Sequence, residues 1–245
     1  MRMLGIAACL ALAAGAASAE PTRVTVRAHS LDAKFIGDQM GGVAVTLRDA
    51  RTGKVLARGV TQGGTGDTQR IMKTPQVRGQ AITDAATAGF EAVLDIDRPT
   101  LVEAEGIGPA GKPASAVRVT SQMWVLPGRH LASDGWVLTF PGLVIEPEVT
   151  GLRADGAMLK AKVSLMCGCP IEPGGLWAAE NYAVTAELLQ GGRTVSRTPL
   201  AYAGTASQFA VRLPPAKPGR YRLRLTATDR TTPNAGVWEA PVRLR

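Results

Sequence analysis

Pro218-Gly219-Arg220-Tyr221-Arg222-Leu223-Arg224-Leu225-Thr226-Ala227 is the stretch that decides the fold. Tyr221, Leu223, Leu225 and Ala227 alternate with Arg220, Arg222, Arg224 and Thr226. That period of two is the mark of a strand with one buried and one wet face. Pro218-Gly219 supplies the turn that starts it. Six more short runs surround it, at 143–149, 158–167, 182–189, 194–200, 208–213 and 237–244, with turn residues such as Gly191-Gly192 between them. No window in this region keeps helical periodicity. Seven strands within 141–245 predict a sandwich of two sheets.

The Pro-Gly-x-Tyr-x-Leu-x-Leu-x-Ala pattern resembles the penultimate strand of immunoglobulin-like and fibronectin-type domains. In antibody domains a cysteine sits two residues after that tyrosine, on the inward side. Here the position is Leu223. Cys167 lies where the second cysteine would sit, with no mate across the sandwich. The resemblance therefore implies the immunoglobulin-like sandwich without its inter-sheet disulfide.

Residues 20–140 read as a second β-unit, with runs at 23–29, 43–48, 55–61, 90–97, 101–105 and 116–126. Residues 30–42 read as a polar loop, 62–67 as a glycine loop, and 79–89 as a loop holding one turn of helix. Gly42-Val43-x-Val45-x-Leu47-x-Asp49-x-x-Thr52-Gly53-Lys54-Val55-Leu56 resembles the hairpin of transthyretin-like and carboxypeptidase-regulatory-like sandwiches. That resemblance implies a spacer or binding module and transfers no catalytic residue. Phe140-Pro141-Gly142 marks the expected boundary. The fold class is all-β: two β-sandwich domains in tandem, 20–140 and 141–245, the second immunoglobulin-like. An aromatic share of only 4% means their cores are aliphatic.

Residues 1–19 read as a cleaved signal peptide. Met1-Arg2-Met3 is a basic start, 4–14 is apolar but too short to span a bilayer, and Ala17-Ser18-Ala19 is a cleavage site. Ile6-Ala7-Ala8-Cys9 offers a lipoprotein alternative through Cys9, but the apolar run continues past it, so cleavage after Ala19 is the preferred reading. No later stretch is long enough to span a membrane. The address is periplasmic or secreted. The formal charge is +8, and removal of Arg2 with the leader leaves +7. In an exported chain this excess points to an acidic envelope protein, an anionic envelope polymer or lipid headgroups, not to nucleic acid. There is no serine elbow, paired-histidine zinc helix or phosphate loop, so hydrolase and NTPase classes have no support.

The chemistry concentrates at Met166-Cys167-Gly168-Cys169-Pro170. Continuing the strand period turns Cys167 and Cys169 inward and Met166 outward, at a strand end closed by Pro170 and Pro173-Gly174-Gly175. Three readings stay open. The first is a disulfide between the two, favoured by an oxidising compartment. Extended residues i and i+2 lie about 6.5–7 Å apart, so Gly168 must curl the chain to close it. The second is a Cu(I) cofactor held by both thiolates and a thioether from Met166, Met158 or Met123, with His130 a further donor. The third is thiol–disulfide exchange, which lacks the helix that usually lowers a thiol pKa.

Two charged patterns complete the reading. Asp95, Asp97, Glu103 and Glu105 would share a face if 90–97 paired with 101–105; solvated acids on unpaired strands is the preferred outcome. Arg220, Arg222 and Arg224, with Arg243 and Arg245 on the last strand, predict one basic stripe, suited to edge protection or to docking on an acidic surface. The expected function is a non-enzymatic binding protein that presents a Cys-x-Cys loop to a protein partner. The alternatives are a periplasmic copper or redox accessory factor and an envelope structural or adhesion module.

Overall fold

The protein is described here from a computed structural model, which covers residues 20–148 and 152–245. The expected leader, its cleavage site and Cys9 lie outside the described residues. The strands are β1 (Glu20–Ser30), β2 (Ala44–Asp49), β3 (Val55–Val60), β4 (Phe90–Ile96), β5 (Thr100–Gly108), β6 (Val117–Val125) and β7 (Leu131–Phe140) in the first half. The second half holds β8 (Leu143–Glu148), β9 (Met158–Leu165), β10 (Tyr182–Gln190), β11 (Arg193–Tyr202), β12 (Gln208–Arg212), β13 (Gly219–Asp229) and β14 (Ala235–Leu244). Among the described residues no helix is long and apolar enough to cross a membrane.

The first half is a sandwich of β4-β1-β7 on β3-β2-β5-β6. β1 runs antiparallel to β4 and parallel to β7. Val24, Val26 and Ala28 of β1 face Val45, Leu47, Val102 and Ala104 across the core. The expected hairpin at 44–60 forms as β2–β3. β4 and β5 belong to different sheets, so the acids of 95–105 do not confront one another. Glu105 instead meets Arg48 of β2 and Arg118 of β6, each at 3.2 Å.

Residues 31–43 depart from the expected polar loop. Asp32 takes a positive φ of 54° and the chain folds back on the end of β1. Ile36 N donates to Ala28 O and Phe35 N to Thr65 O. Phe35, Ile36 and Met40 are thereby buried. The segment caps the sandwich with apolar residues at irregular spacing, and no periodicity announces them.

All seven strands expected in the second half are present, in the order β14-β13-β10-β11-β12-β9-β8. β11 joins the two faces: Arg193 to Leu200 pair with β10, whereas Ala201 and Tyr202 pair with β12. The result is β8-β9-β12 packed on β11-β10-β13-β14, an immunoglobulin-like arrangement. Leu159, Ala161, Val163 and Leu165 of β9 fill the core against Val184, Ala186, Leu223 and Leu225. Tyr221 Oη donates to Lys217 O at 2.8 Å, which ties the start of β13 to the loop before it in the manner of a tyrosine corner. Leu223, two residues on, is fully buried.

Tyr221→Phe removes this one bond and leaves an acceptor on an exposed loop. The variant should lose about 1 kcal/mol, read as a lower urea midpoint at unchanged slope.

Candidate functional site

The two sandwiches meet at a joint with no slack. β7 ends at Phe140 and β8 begins at Leu143, leaving only Pro141-Gly142 between them. Phe140 O accepts from Leu31 N at 2.9 Å. Gly142 N donates to Asn234 Oδ1 at 2.8 Å, and Asn234 Nδ2 donates to Leu31 O at 3.0 Å. One buried amide thus ties the linker, the loop after β1 and the β13–β14 loop together. Trp177 Nε1 donates to Asp32 O at 2.9 Å. Ser115 Oγ accepts from Ile145 N at 3.2 Å, and Lys112 Nζ meets Glu146 at 2.5 Å. Apolar groups also cross over: Ala33 belongs to the second core, while Val144 and Met166 belong to the first.

The Cys-x-Cys motif lies in this joint. β9 stops at Leu165, Gly168 N returns to Leu165 O at 2.8 Å, and Gly168 takes φ 78°. The curl brings the Cys167 and Cys169 Cα atoms to 5.4 Å, and the two residues form a disulfide. The expectation of an accessible lip is corrected. Cys167 and Cys169 are 2% and 4% exposed and pack in the second core. Met40 explains part of this cover: a Cβ on Gly168 would fall 2.8 Å from Met40 Sδ. Met166 points away from its own sandwich, as the period requires, yet is only 1% exposed because the first sandwich receives it.

The other donors considered for a metal are elsewhere. Met158 stands 55% exposed at the start of β9. Met123 lies on β6 against the first core. His130 is exposed, and its Nδ1 accepts from Arg23 N at 3.2 Å. Among the described residues no three His, Cys, Asp or Glu side chains converge as a metal site.

Pairing of β13 with β14 sets Arg220, Arg222 and Arg224 beside Arg243, with Glu239 among them. Arg220 faces Arg243 and Arg224 faces Glu239 across the strand pair. Toward the sheet centre, charges alternate from strand to strand: Arg197 on β11, Glu187 on β10, Arg224 on β13, Glu239 on β14. Glu187 meets Arg197 at 2.6 Å and Arg224 at 3.4 Å; Arg224 also bonds Glu239. The hydrogen bond from Arg197 is the main cause that holds the Glu187 carboxyl below its ordinary range. Arg222 meets Glu239 at 3.3 Å. At the outer end Arg220, Arg243 and Arg245 are exposed and have no ion pair among the described residues. Gly191, Gly192, Arg220, Tyr221, Arg222, Glu239 and Pro241 line an open groove of about 400 Å³ beside them.

Sequence reasoning missed Asn234 and the polar cluster behind it. Asp229 accepts from Thr231 N (2.8 Å), Thr231 Oγ1 (2.7 Å) and Thr232 Oγ1 (2.7 Å). Burial opposes its ionisation, but these donors hold its carboxyl below the usual range. Burial, then the charge of Asp229, raises the Asp32 carboxyl. The Asp-x-Thr-Thr-Pro-Asn order reads as an ordinary turn. Nothing local shows that its asparagine reaches 203 residues back along the chain.

No protein-family model matches the chain, and no curated protein matches its sequence. Among solved structures it is similar to the chicken interferon gamma receptor alpha chain, at 10% identity and a TM-score of 0.29, over 91% of this chain and 97% of that one. It is also similar to titin domains Z1Z2 in complex with telethonin, at 11% identity and a TM-score of 0.22, over 92% of this chain and 89% of that one.

Asn234→Ala should cost about 1–3 kcal/mol for each buried group left without a partner at Gly142 N and Leu31 O. Small-angle scattering should show a larger radius of gyration, because the joint loosens while each sandwich persists. A second outcome concerns His29, whose ring meets Phe35 edge-on at 5.1 Å. Burial holds it below its ordinary value of 6.5, against the opposing pull of the Ala33 backbone and Asp32. The unfolded chain therefore binds this proton more readily than the folded one. The stability from neutral His29 is complete above the ordinary value and is lost as the pH falls through it. Melting temperature should drop between about pH 7.5 and 5.5, where carboxylates remain ionised, and the drop should be smaller in His29→Gln.

Proposed function

We propose that this chain is a non-enzymatic binding protein of the periplasm or cell envelope that docks an acidic protein surface on the open end of its arginine row. Pro141-Gly142 is read as the boundary between its two domains. The first sandwich, whose β2–β3 hairpin resembles transthyretin-like modules, acts as a fixed spacer. The Cys167–Cys169 disulfide stiffens the joint and is not itself presented. The Cu(I) reading needs thiolates that are here bonded together and covered, and no observation favours it over docking.

The observation that carries the reading is the Arg220–Arg243 pair. Like charges directly opposite across two strands destabilise a sheet. The inner arginines of the same row are offset by Glu187 and Glu239, and this outer pair is not. A carboxylate from outside would satisfy both guanidiniums through paired, charge-assisted bonds. The groove beside them is open and bordered by the Gly191-Gly192 turn, which leaves room for an approaching chain.

A photo-crosslinker at position 241, on the groove rim, tests this in the intact envelope. It should trap a discrete protein partner. Arg220→Glu with Arg243→Glu should lower affinity for that partner by at least about 100-fold, with the fold intact by circular dichroism. Raising the salt concentration should weaken the wild-type complex. Capture of polysaccharide alone, or capture unchanged by the double reversal, would reject the reading.

A further inference from the structure

The far end of the first sandwich carries a different surface. Trp124 is 50% exposed on β6, opposite Leu101 of β5. Two of the other three tryptophans are covered: Trp136 and Trp177 are 3% and 7% exposed, and each indole N–H has an acceptor, while Trp238 is half-buried against the second core. The Arg51 guanidinium stands 5.0 Å from the Trp124 ring centre. Asp49, Arg51, Arg98, Thr100, Leu101 and Trp124 line a depression of about 260 Å³.

Three pieces of chain build this depression, and each is fixed from below. Asp49 Oδ1 accepts from Arg51 N at 2.8 Å and Thr52 N at 3.1 Å, which sets the β2–β3 turn. Ala50 N donates to Leu101 O at 2.8 Å and fastens that turn to β5. At the β4–β5 corner Thr100 Oγ1 donates to Arg98 O at 3.0 Å, and Pro99 restricts the backbone beside it. The backbone hydrogen bonds from Arg51 and then Thr52 hold the Asp49 carboxyl below its ordinary range, so it is ionised at neutral pH. The depression therefore offers one carboxylate and two guanidiniums beside an exposed indole, with the Arg51 guanidinium over one face of that ring, a net positive site.

We infer that this depression binds one acidic sugar residue, a hexuronate unit of an anionic polysaccharide. A pyranose has one face of C–H groups, polarised positive, and these suit the negative face of an indole. Its vicinal hydroxyls match the paired oxygens of a carboxylate and the fork of a guanidinium. Two guanidiniums against one carboxylate select a sugar that itself carries an anion. A nucleobase could also stack on Trp124, but the Asp49 carboxylate beside it accepts from the vicinal hydroxyls of a sugar, which a deoxynucleotide lacks. A lipid surface suits a protruding aromatic group better than one bordering a depression of single-ring size. The site shares no residue with the arginine groove, so it stands or falls separately from the docking reading.

The full chain from residue 20 is titrated calorimetrically with tetragalacturonate, with maltotetraose as the uncharged control. Oligo(dT) and phosphatidylglycerol vesicles serve as the other anions. Tetragalacturonate should bind saturably, and maltotetraose roughly tenfold more weakly. Trp124→Ala, an exposed position, should weaken binding roughly tenfold or more with an unchanged melting temperature. Arg98→Gln should abolish the preference for the acidic sugar while leaving the neutral one as before. Arg220→Glu with Arg243→Glu should change neither. No saturable sugar binding, sugar binding indifferent to Trp124→Ala, or Trp124-dependent binding of the oligonucleotide or vesicles instead of the sugar overturns the inference.

Discussion

The side-chain amide of Asn234 decides whether this chain behaves as one body or two. A two-residue linker alone would allow rotation about Pro141-Gly142. The amide removes that freedom by engaging Gly142 N and Leu31 O at once, from a loop at the other end of the second sandwich's sequence. Its burial makes both bonds expensive to break, since water cannot replace either partner without entering the joint. The exchange of Ala33 for Val144 and Met166 between the cores adds an apolar lock to the polar one. Surfaces on the two sandwiches therefore keep fixed positions relative to each other. A partner that touches both meets a pre-organised face.

Magnitudes place the disulfide second in this joint. Closing a ring over a single intervening residue removes little chain entropy, on the order of 1–2 kcal/mol. Burying a methionine side chain is worth about 1.5–3 kcal/mol by transfer alone. The pair Cys167–Cys169 matters more for what it does to the direction of the chain. By holding the curl at Gly168 it sends Met166 across to the first core and leaves the half-cystines in the second. Sulfur thus works here as packing and geometry, inside a joint closed to solvent.

The second sandwich was legible because strands such as β9 and β13 keep one face wet over most of their length, so period two survives in the text. β13 shows it best, with arginines outward and Tyr221, Leu223, Leu225 and Ala227 inward. What the pattern could not give is the passage of β11 from one sheet to the other, because pairing partners leave no trace in alternation. The first sandwich was less readable for local reasons. β7 is interrupted at Ser133 and Gly135, which take φ of 63° and 66°, and its run does not stand out. The buried groups of 31–43 answer to the end of a sandwich and not to a strand face. Met166 shows the limit most clearly. The period correctly turned it away from its own core, but only the neighbouring sandwich decides whether outward means water. The Arg220–Arg243 row needed only strand adjacency and was visible; Asn234 needed tertiary contact and was not.

The excess of basic residues takes its meaning from where counter-charges are missing. Arg27 is buried, with its guanidinium on the carbonyls of Thr87, Ala88 and Ser133, so it serves the fold. Arg48 and Arg118 answer Glu105, and Arg197 and Arg224 answer Glu187. Other basic residues, such as Arg23, Arg58, Lys160 and Arg193, are spread over both sandwiches; two groups of guanidiniums border a depression, at the outer end of β13–β14 and on the rim around Trp124. The two differ in kind. The first is an open groove of about 400 Å³ along the strand pair; the second is a smaller depression of about 260 Å³ beside an exposed indole. At both places a backbone turn or a cross-strand pair holds guanidiniums side by side, the arrangement that multivalent recognition of anions requires.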